Sequence, residues 1–168
     1  MNMIEFAMKM ELDGKTFYLK HASRTSNAEL KKILLALAEE EEHHYRYFKR
    51  LAENHSDATP SALTGAQTLE TVRNIFEEMS QNTEESPLGG DIISTWKEAL
   101  GIEEKSARFY DEKTKEEPDS GKREILRKIA DEERNHVLMI DGVLTFLKHP
   151  AAFAESAQFR NFMSLEGH

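Results

Sequence analysis

The stretch AEEEEHH, residues 38–44, is the most informative part of the sequence, because its pattern returns later in the chain. Residues 130–136 read ADEERNH, so Ala-x-x-Glu-x-x-His occurs twice at an offset of 92 residues. Further residues that precede each copy match at the same offset. They pair Ala7 with Ala99, Glu11 with Glu103, Phe17 with Phe109 and Tyr18 with Tyr110. The chain therefore contains two related halves, about 1–54 and 91–147, and each supplies one lone Glu and one Glu-x-x-His.

Hydrophobic periodicity predicts four helices. Apolar residues recur at alternating intervals of three and four, which is the spacing of the inward-facing a and d positions of a bundle helix. The predicted helices cover residues 2–23, a stretch from Ser26 or Asn27 to about 53, residues 91–116, and a stretch from the 118–121 turn to about 147. Each half supplies only two helices, so we expect an all-α, antiparallel four-helix bundle.

Six ionisable residues interrupt these inward-facing positions. They are Glu11, Glu41, His44, Glu103, Glu133 and His136. A Glu and a His three positions apart on a helix share one face, with Cβ atoms about 5–6 Å apart, so one metal ion can be held by both. A buried ionised side chain has to be paired, protonated or bound to a metal. The repetition of the whole set predicts a site for two metal ions bridged by carboxylates.

Other residues near this set have two open interpretations. Tyr18 and Tyr110, seven residues after the lone Glu of each half, either fill the core or donate hydrogen bonds to a ligand carboxylate. Gly14 either allows close packing of two backbones or leaves room for a ligand. Glu40 and Glu132 either orient a His from outside the site or belong to a solvated face.

Two further residues, His43 and Glu104, are not included among the predicted metal ligands. His43 lies off the inward-facing positions and has Asn135 as its counterpart, so we expect it at the surface. Glu104 competes with Glu103 for the ligand position, but Leu12 stands at the matching place in the first half. The repeat therefore favours Glu103.

Composition excludes several kinds of protein. The net charge of −9 argues against a nucleic-acid partner, because phosphates would be repelled. The sequence contains no cysteine, which excludes thiolate catalysis and a rubredoxin-type iron site within it. It contains neither a secretory signal nor an apolar run of about 18 residues, so we expect no membrane contact and a cytoplasmic location.

The chain is expected to form one domain, residues 1–168. Residues 55–90 form a long crossover between the second and third helices, with a short amphipathic helix at 66–80. The tail, residues 148–168, contains Phe153, Phe159 and Phe162. The apolar faces of the crossover helix and the tail favour a homodimer.

The sequence contains two predicted helices with Glu-x-x-His and two with Glu-x-x-x-x-x-Phe-Tyr. In this respect it resembles the rubrerythrin branch of the ferritin-like di-iron carboxylate superfamily. The resemblance implies a ferritin-like bundle in which Glu41 and Glu133 bridge two metal ions, Glu11 and Glu103 are terminal ligands, and His44 and His136 each bind one ion. Two departures stand out. The absence of cysteine excludes the rubredoxin-like domain of rubrerythrins proper, and Ser106 replaces a further Glu one turn after the third helix's ligand.

The function that the resemblance implies is that of an oxidoreductase with two iron ions, with manganese or zinc as alternatives. Such a protein reduces hydrogen peroxide or O2 with electrons from an external donor, for example a rubredoxin-type protein. The alternative is a ferroxidase that serves iron storage or sequestration.

Overall fold

A computed structural model describes residues 2–53, 74–75 and 90–149. The four predicted helices are all present. They are α1 (Met3–Ala22), α2 (Ala28–Ala52), α3 (Gly90–Glu116) and α4 (Ser120–Lys148). Most of the predicted crossover 55–90 with its 66–80 helix, and the tail beyond residue 149, lie outside the described residues. No helix in the described ranges is both long and apolar enough to cross a bilayer.

Side-chain caps explain where three of the helices begin. Asn2 and Glu5 form a reciprocal capping box at the start of α1. The Asn27 side chain accepts from the Leu30 N–H, so Asn27 rather than Ser26 is the N-cap of α2. Asp119 caps α4 in the same way through the Lys122 N–H. Each such cap typically stabilises its helix by about 1 kcal/mol.

The chain divides into two compact units, Met1–Thr68 and Leu69–His168. In the first unit, α1 packs against α2. Lys15 Nζ donates to Glu42 at 2.7 Å, and Glu11 contacts His44. Residue numbers rise along α1 as they fall along α2 in these contacts, so the two helices are antiparallel. The buried apolar residues of these two helices are Ala7, Tyr18, Ala22, Leu30, Ile33, Leu34, Leu37, Ala38, Tyr47 and Phe48.

In the second unit, α3 packs against α4. Glu103 contacts His136, and further along α3 Asp111 pairs with Arg134 at 2.7 Å, so this pair of helices is antiparallel as well. The buried apolar residues include Trp96, Ala99, Tyr110, Leu126, Ile129, Ile140 and Val143. The two units therefore repeat one supersecondary motif, as the 92-residue offset predicts.

The buried surface of α2 and α4 is wider than the a and d positions alone. A further row on α2 contains Ile33, Glu40 and Tyr47, all buried. The matching row on α4 includes Glu132 and Met139. A helix in a globular protein buries an apolar face of at least about 100°, so three positions in each heptad turn inward instead of two.

Candidate metal centre

The first half-site lies between α1 and α2. Glu11, Glu41 and His44 are at most 3% exposed. Glu11 Oε2 lies 3.4 Å from His44 Nδ1. One potential ligand atom from each of the three residues lies within 4.8 Å of the others. The antiparallel helix pair thus brings the lone Glu of α1 to the Glu-x-x-His of α2.

Gly14 is part of the wall of this half-site. A Cβ atom added to Gly14 would lie 2.9 Å from Oε2 and 3.2 Å from Cδ of Glu41. Real Cβ atoms essentially never approach another heavy atom below 3.0 Å. The Glu41 carboxylate therefore lies in the space that any other residue at position 14 would fill.

The second half-site lies between α3 and α4 and contains the corresponding residues. Glu103 and Glu133 are fully buried and His136 is nearly so. His136 Nδ1 lies 3.3 Å from Glu103 Oε2 and 3.6 Å from Glu133 Oε2. Here too one potential ligand atom from each residue lies within 4.8 Å of the others.

Burial and like charge shift the proton affinities of the second half-site. Burial, together with the negative charge of Glu133, raises the pKa of Glu103 to about 7, although His136 acts in the opposite direction. Burial alone would lower the pKa of His136, but Glu103 and Glu133 outweigh it and raise that pKa well above its ordinary value. In the absence of a cation, Glu103 and His136 therefore hold protons near neutral pH.

Two tyrosines occupy equivalent places in the two units. Tyr18 and Tyr110 are fully buried. Each packs edge-to-face with the preceding Phe, at 5.5 Å between ring centroids for Phe17 and 5.2 Å for Phe109. Their position in the core is confirmed, and their hydrogen bond to a ligand carboxylate stays a prediction.

The interpretation of Glu40 as part of a solvated face is wrong. Glu40 is 1% exposed and Glu132 is 9% exposed. A carboxylate oxygen of Glu40 lies within 4.8 Å of a ring nitrogen of His44, one turn further along α2. The row Ile33, Glu40, Tyr47, at intervals of seven, was the sequence signal that this face is buried.

The remaining sequence inferences concern neighbours of these half-sites. Glu104 is exposed, whereas Glu103 beside it is fully buried, as the repeat predicts. His43 is partly exposed, and its ring lies 3.9 Å from Glu39 Oε1. Ser106, at the position that matches Gly14, is buried. Position 14 and position 106 therefore distinguish two otherwise equivalent half-sites.

Each half-site offers two carboxylates and one imidazole. Carboxylate oxygen and imidazole nitrogen together suit iron, manganese and zinc. Six such residues from four helices, a Glu from each of two and a Glu-x-x-His from each of the others, are the ligand set of di-iron carboxylate proteins. The chemistry of the donors therefore fits a pair of divalent cations.

Comparison with known proteins assigns the chain to a family. Searches among curated proteins and among solved structures found no significant match. The rubrerythrin family model matches residues 2–144, which is most of the chain and includes both half-sites. The predicted fold class, an all-α ferritin-like four-helix bundle, is thereby confirmed. The chain belongs to the rubrerythrin family.

Proposed function

We propose that the two half-sites together bind two iron ions and that the protein reduces hydrogen peroxide or O2 with electrons from an external donor. The family is one of di-iron proteins of the oxidoreductase type. The observation that carries the proposal is the burial of the same three side chains, two carboxylates and one imidazole, in each helix pair.

The charge of the set supports two divalent cations. Glu11, Glu41, Glu103 and Glu133 carry four negative charges when ionised, which balance two divalent ions. Without cations, so many buried carboxylates would repel one another, and protons would have to neutralise them. In the second half-site, burial and, after it, the negative charge of Glu133 raise the pKa of Glu103 to about 7.

We assign the ligand roles as the family resemblance implies. Glu41 and Glu133 would bridge the ions. Glu11 and Glu103 would be terminal ligands, and His44 and His136 would each hold one ion. Glu40, buried one turn before His44, is suited to hold that ring in its orientation through the nitrogen that does not bind metal.

An adjacent pair of iron ions, when bound, would supply two electrons, which reduce hydrogen peroxide to water or O2 to hydrogen peroxide. The protein's own part is to hold the ligands rigidly and to keep bulk water away. Trp96 and the two buried tyrosines contribute to the dry packing on these helix faces. These 168 residues contain no cysteine and so hold no rubredoxin-type centre, and we assign the electrons to a donor outside them.

The test is an anaerobic titration with Fe(II), followed by rapid mixing with hydrogen peroxide or O2 under optical detection. We expect two ions per chain and repeated turnover with peroxide when a rubredoxin-type donor is added. Binding of fewer than two ions by the wild-type chain would contradict the dimetal site. Oxidation of many Fe(II) ions per chain inside a large hollow assembly, with no donor requirement, would favour storage instead of a dimeric oxidoreductase.

A further inference from the structure

A Cβ atom added to Gly14 would collide with the side chain of Glu41. Gly14 lies in the interior of α1, where glycine destabilises a helix relative to alanine. The atoms that a Cβ at this position would meet belong to the Glu41 side chain, namely Oε2, Cδ and Cγ. The backbone of α2 is not among the three nearest atoms. The glycine therefore makes room for a carboxylate.

We propose that Gly14 is a positioning residue that sets where the Glu41 carboxylate lies and so controls metal binding. This inference rests on the proposed function, because it assigns the effect to a ligand of the dimetal site. With hydrogen at position 14, the carboxylate can lie against the α1 backbone. A methyl group there would displace the carboxylate by a few tenths of an ångström, since its nearest atom would be 2.9 Å away.

The two roles of a buried glycine predict opposite effects on the metal-free protein. If Gly14 serves the approach of two helices, alanine pushes the helices apart and the metal-free fold loses stability. If it serves the carboxylate, the flexible end of Glu41 moves aside and the metal-free fold keeps its stability or gains some from the better helix former. Gly14→Ala weakens metal binding without destabilising the metal-free fold only if Gly14 serves the carboxylate.

Ser106 makes the prediction specific to one half of the site. It stands at the position that matches Gly14 and is buried, so the second half tolerates a side chain there. A glycine at this position is thus a property of the first half alone. The two bridging carboxylates, Glu41 and Glu133, are therefore not equivalent.

The experiment compares Gly14→Ala with Gly101→Ala in the full chain. Gly101 also lies inside a helix, and a Cβ there would meet nothing within 4 Å. Melting curves are recorded without metal and with Mn(II), and Mn(II) affinity is measured by calorimetry. We expect both metal-free variants to melt at or above the wild-type temperature. Gly14→Ala should bind Mn(II) about tenfold more weakly, whereas Gly101→Ala should bind it like the wild type.

A double-mutant cycle with Glu41→Asp separates positioning from a general weakening of the site. The aspartate side chain is one methylene shorter and withdraws from Gly14. In the Glu41→Asp background, Gly14→Ala should therefore cause less than about a threefold further change in Mn(II) affinity. Additive losses would overturn the proposal, and so would an unfolded or destabilised Gly14→Ala chain with wild-type affinity per folded molecule. If the wild type and Gly101→Ala bound no metal, the proposed function itself would fail, which is a distinguishable result.

Discussion

Replacing Glu103 by Gln should remove metal binding from the second half-site, whereas the same change at Glu104 should have almost no effect. The two residues are adjacent in sequence and identical in chemistry. Glu103 is fully buried against His136, and Glu104 is exposed. The pair therefore tests which helix face carries the ligands, with the chemical change held constant.

The magnitude follows from burial. Two unit charges at about 4 Å attract by about 4 kcal/mol at the effective dielectric constant of about 20 that suits protein sites, and a divalent ion increases this. Desolvation of the carboxylate offsets part of the gain. We expect a loss of about 3 kcal/mol or more in metal binding for Glu103→Gln, which is about a hundredfold in affinity. Water and salt screen the charge of Glu104, so its removal should be nearly neutral.

The assay is calorimetric titration with Mn(II), combined with metal analysis after gel filtration. Wild type and Glu104→Gln should retain two ions per chain, and Glu103→Gln should retain fewer. Far-ultraviolet circular dichroism checks that all three proteins are equally helical. If Glu104→Gln lost metal and Glu103→Gln retained it, the ligand register along α3 would be refuted, together with the ligand set.

Three further predictions concern protons, packing and surface charge. Mn(II) affinity should rise about tenfold or more from pH 6 to pH 8. The pKa of Glu103 without metal is about 7, so protons compete with Mn(II) for this carboxylate at the lower pH. An Mn(II) affinity that calorimetry finds equal at both pH values would contradict this. Phe48→Ala, at a fully buried position, should lower the free energy of unfolding by about 3–5 kcal/mol in urea titrations, and a loss below about 1 kcal/mol would contradict its place in the core. Arg134→Ala breaks the salt bridge to Asp111, whose two side chains are 43% and 45% exposed. Urea titration should therefore show a loss of less than about 1 kcal/mol in the free energy of unfolding, and a loss of several kcal/mol would contradict screening by solvent.

Much of the candidate site could be predicted from the sequence because the chain repeats itself. The 92-residue offset identified Glu103 rather than Glu104, since Leu12 matches Glu104 and Glu11 matches Glu103. The structure places Glu103 in the core and Glu104 at the surface. A repeat helps in this way because both copies have to satisfy the same packing geometry, so each constrains the alignment of the other.

The environment of Glu40 was harder to predict. Periodicity locates the centre of a buried helix face, but not its width. That width depends on how many neighbours surround a helix. Glu40 lies at the margin of the face, where its charge suggests solvent but Ile33 and Tyr47, seven residues away on either side, suggest burial. The folded chain shows Glu40 to be 1% exposed.

The four helices, and the face of each helix that carries a Glu or a His, could be predicted from the sequence alone. These properties depend on residues within a few turns of one another, and the spacing of side chains along a helix is fixed by its 3.6-residue period. The tertiary structure was needed to show that Glu103 and His136 lie 3.3 Å apart and that Gly14 leaves room for the Glu41 carboxylate. Both depend on the separation and axial register of two packed helices, which arise from the interlocking of many side chains and are not encoded in any single stretch of the chain.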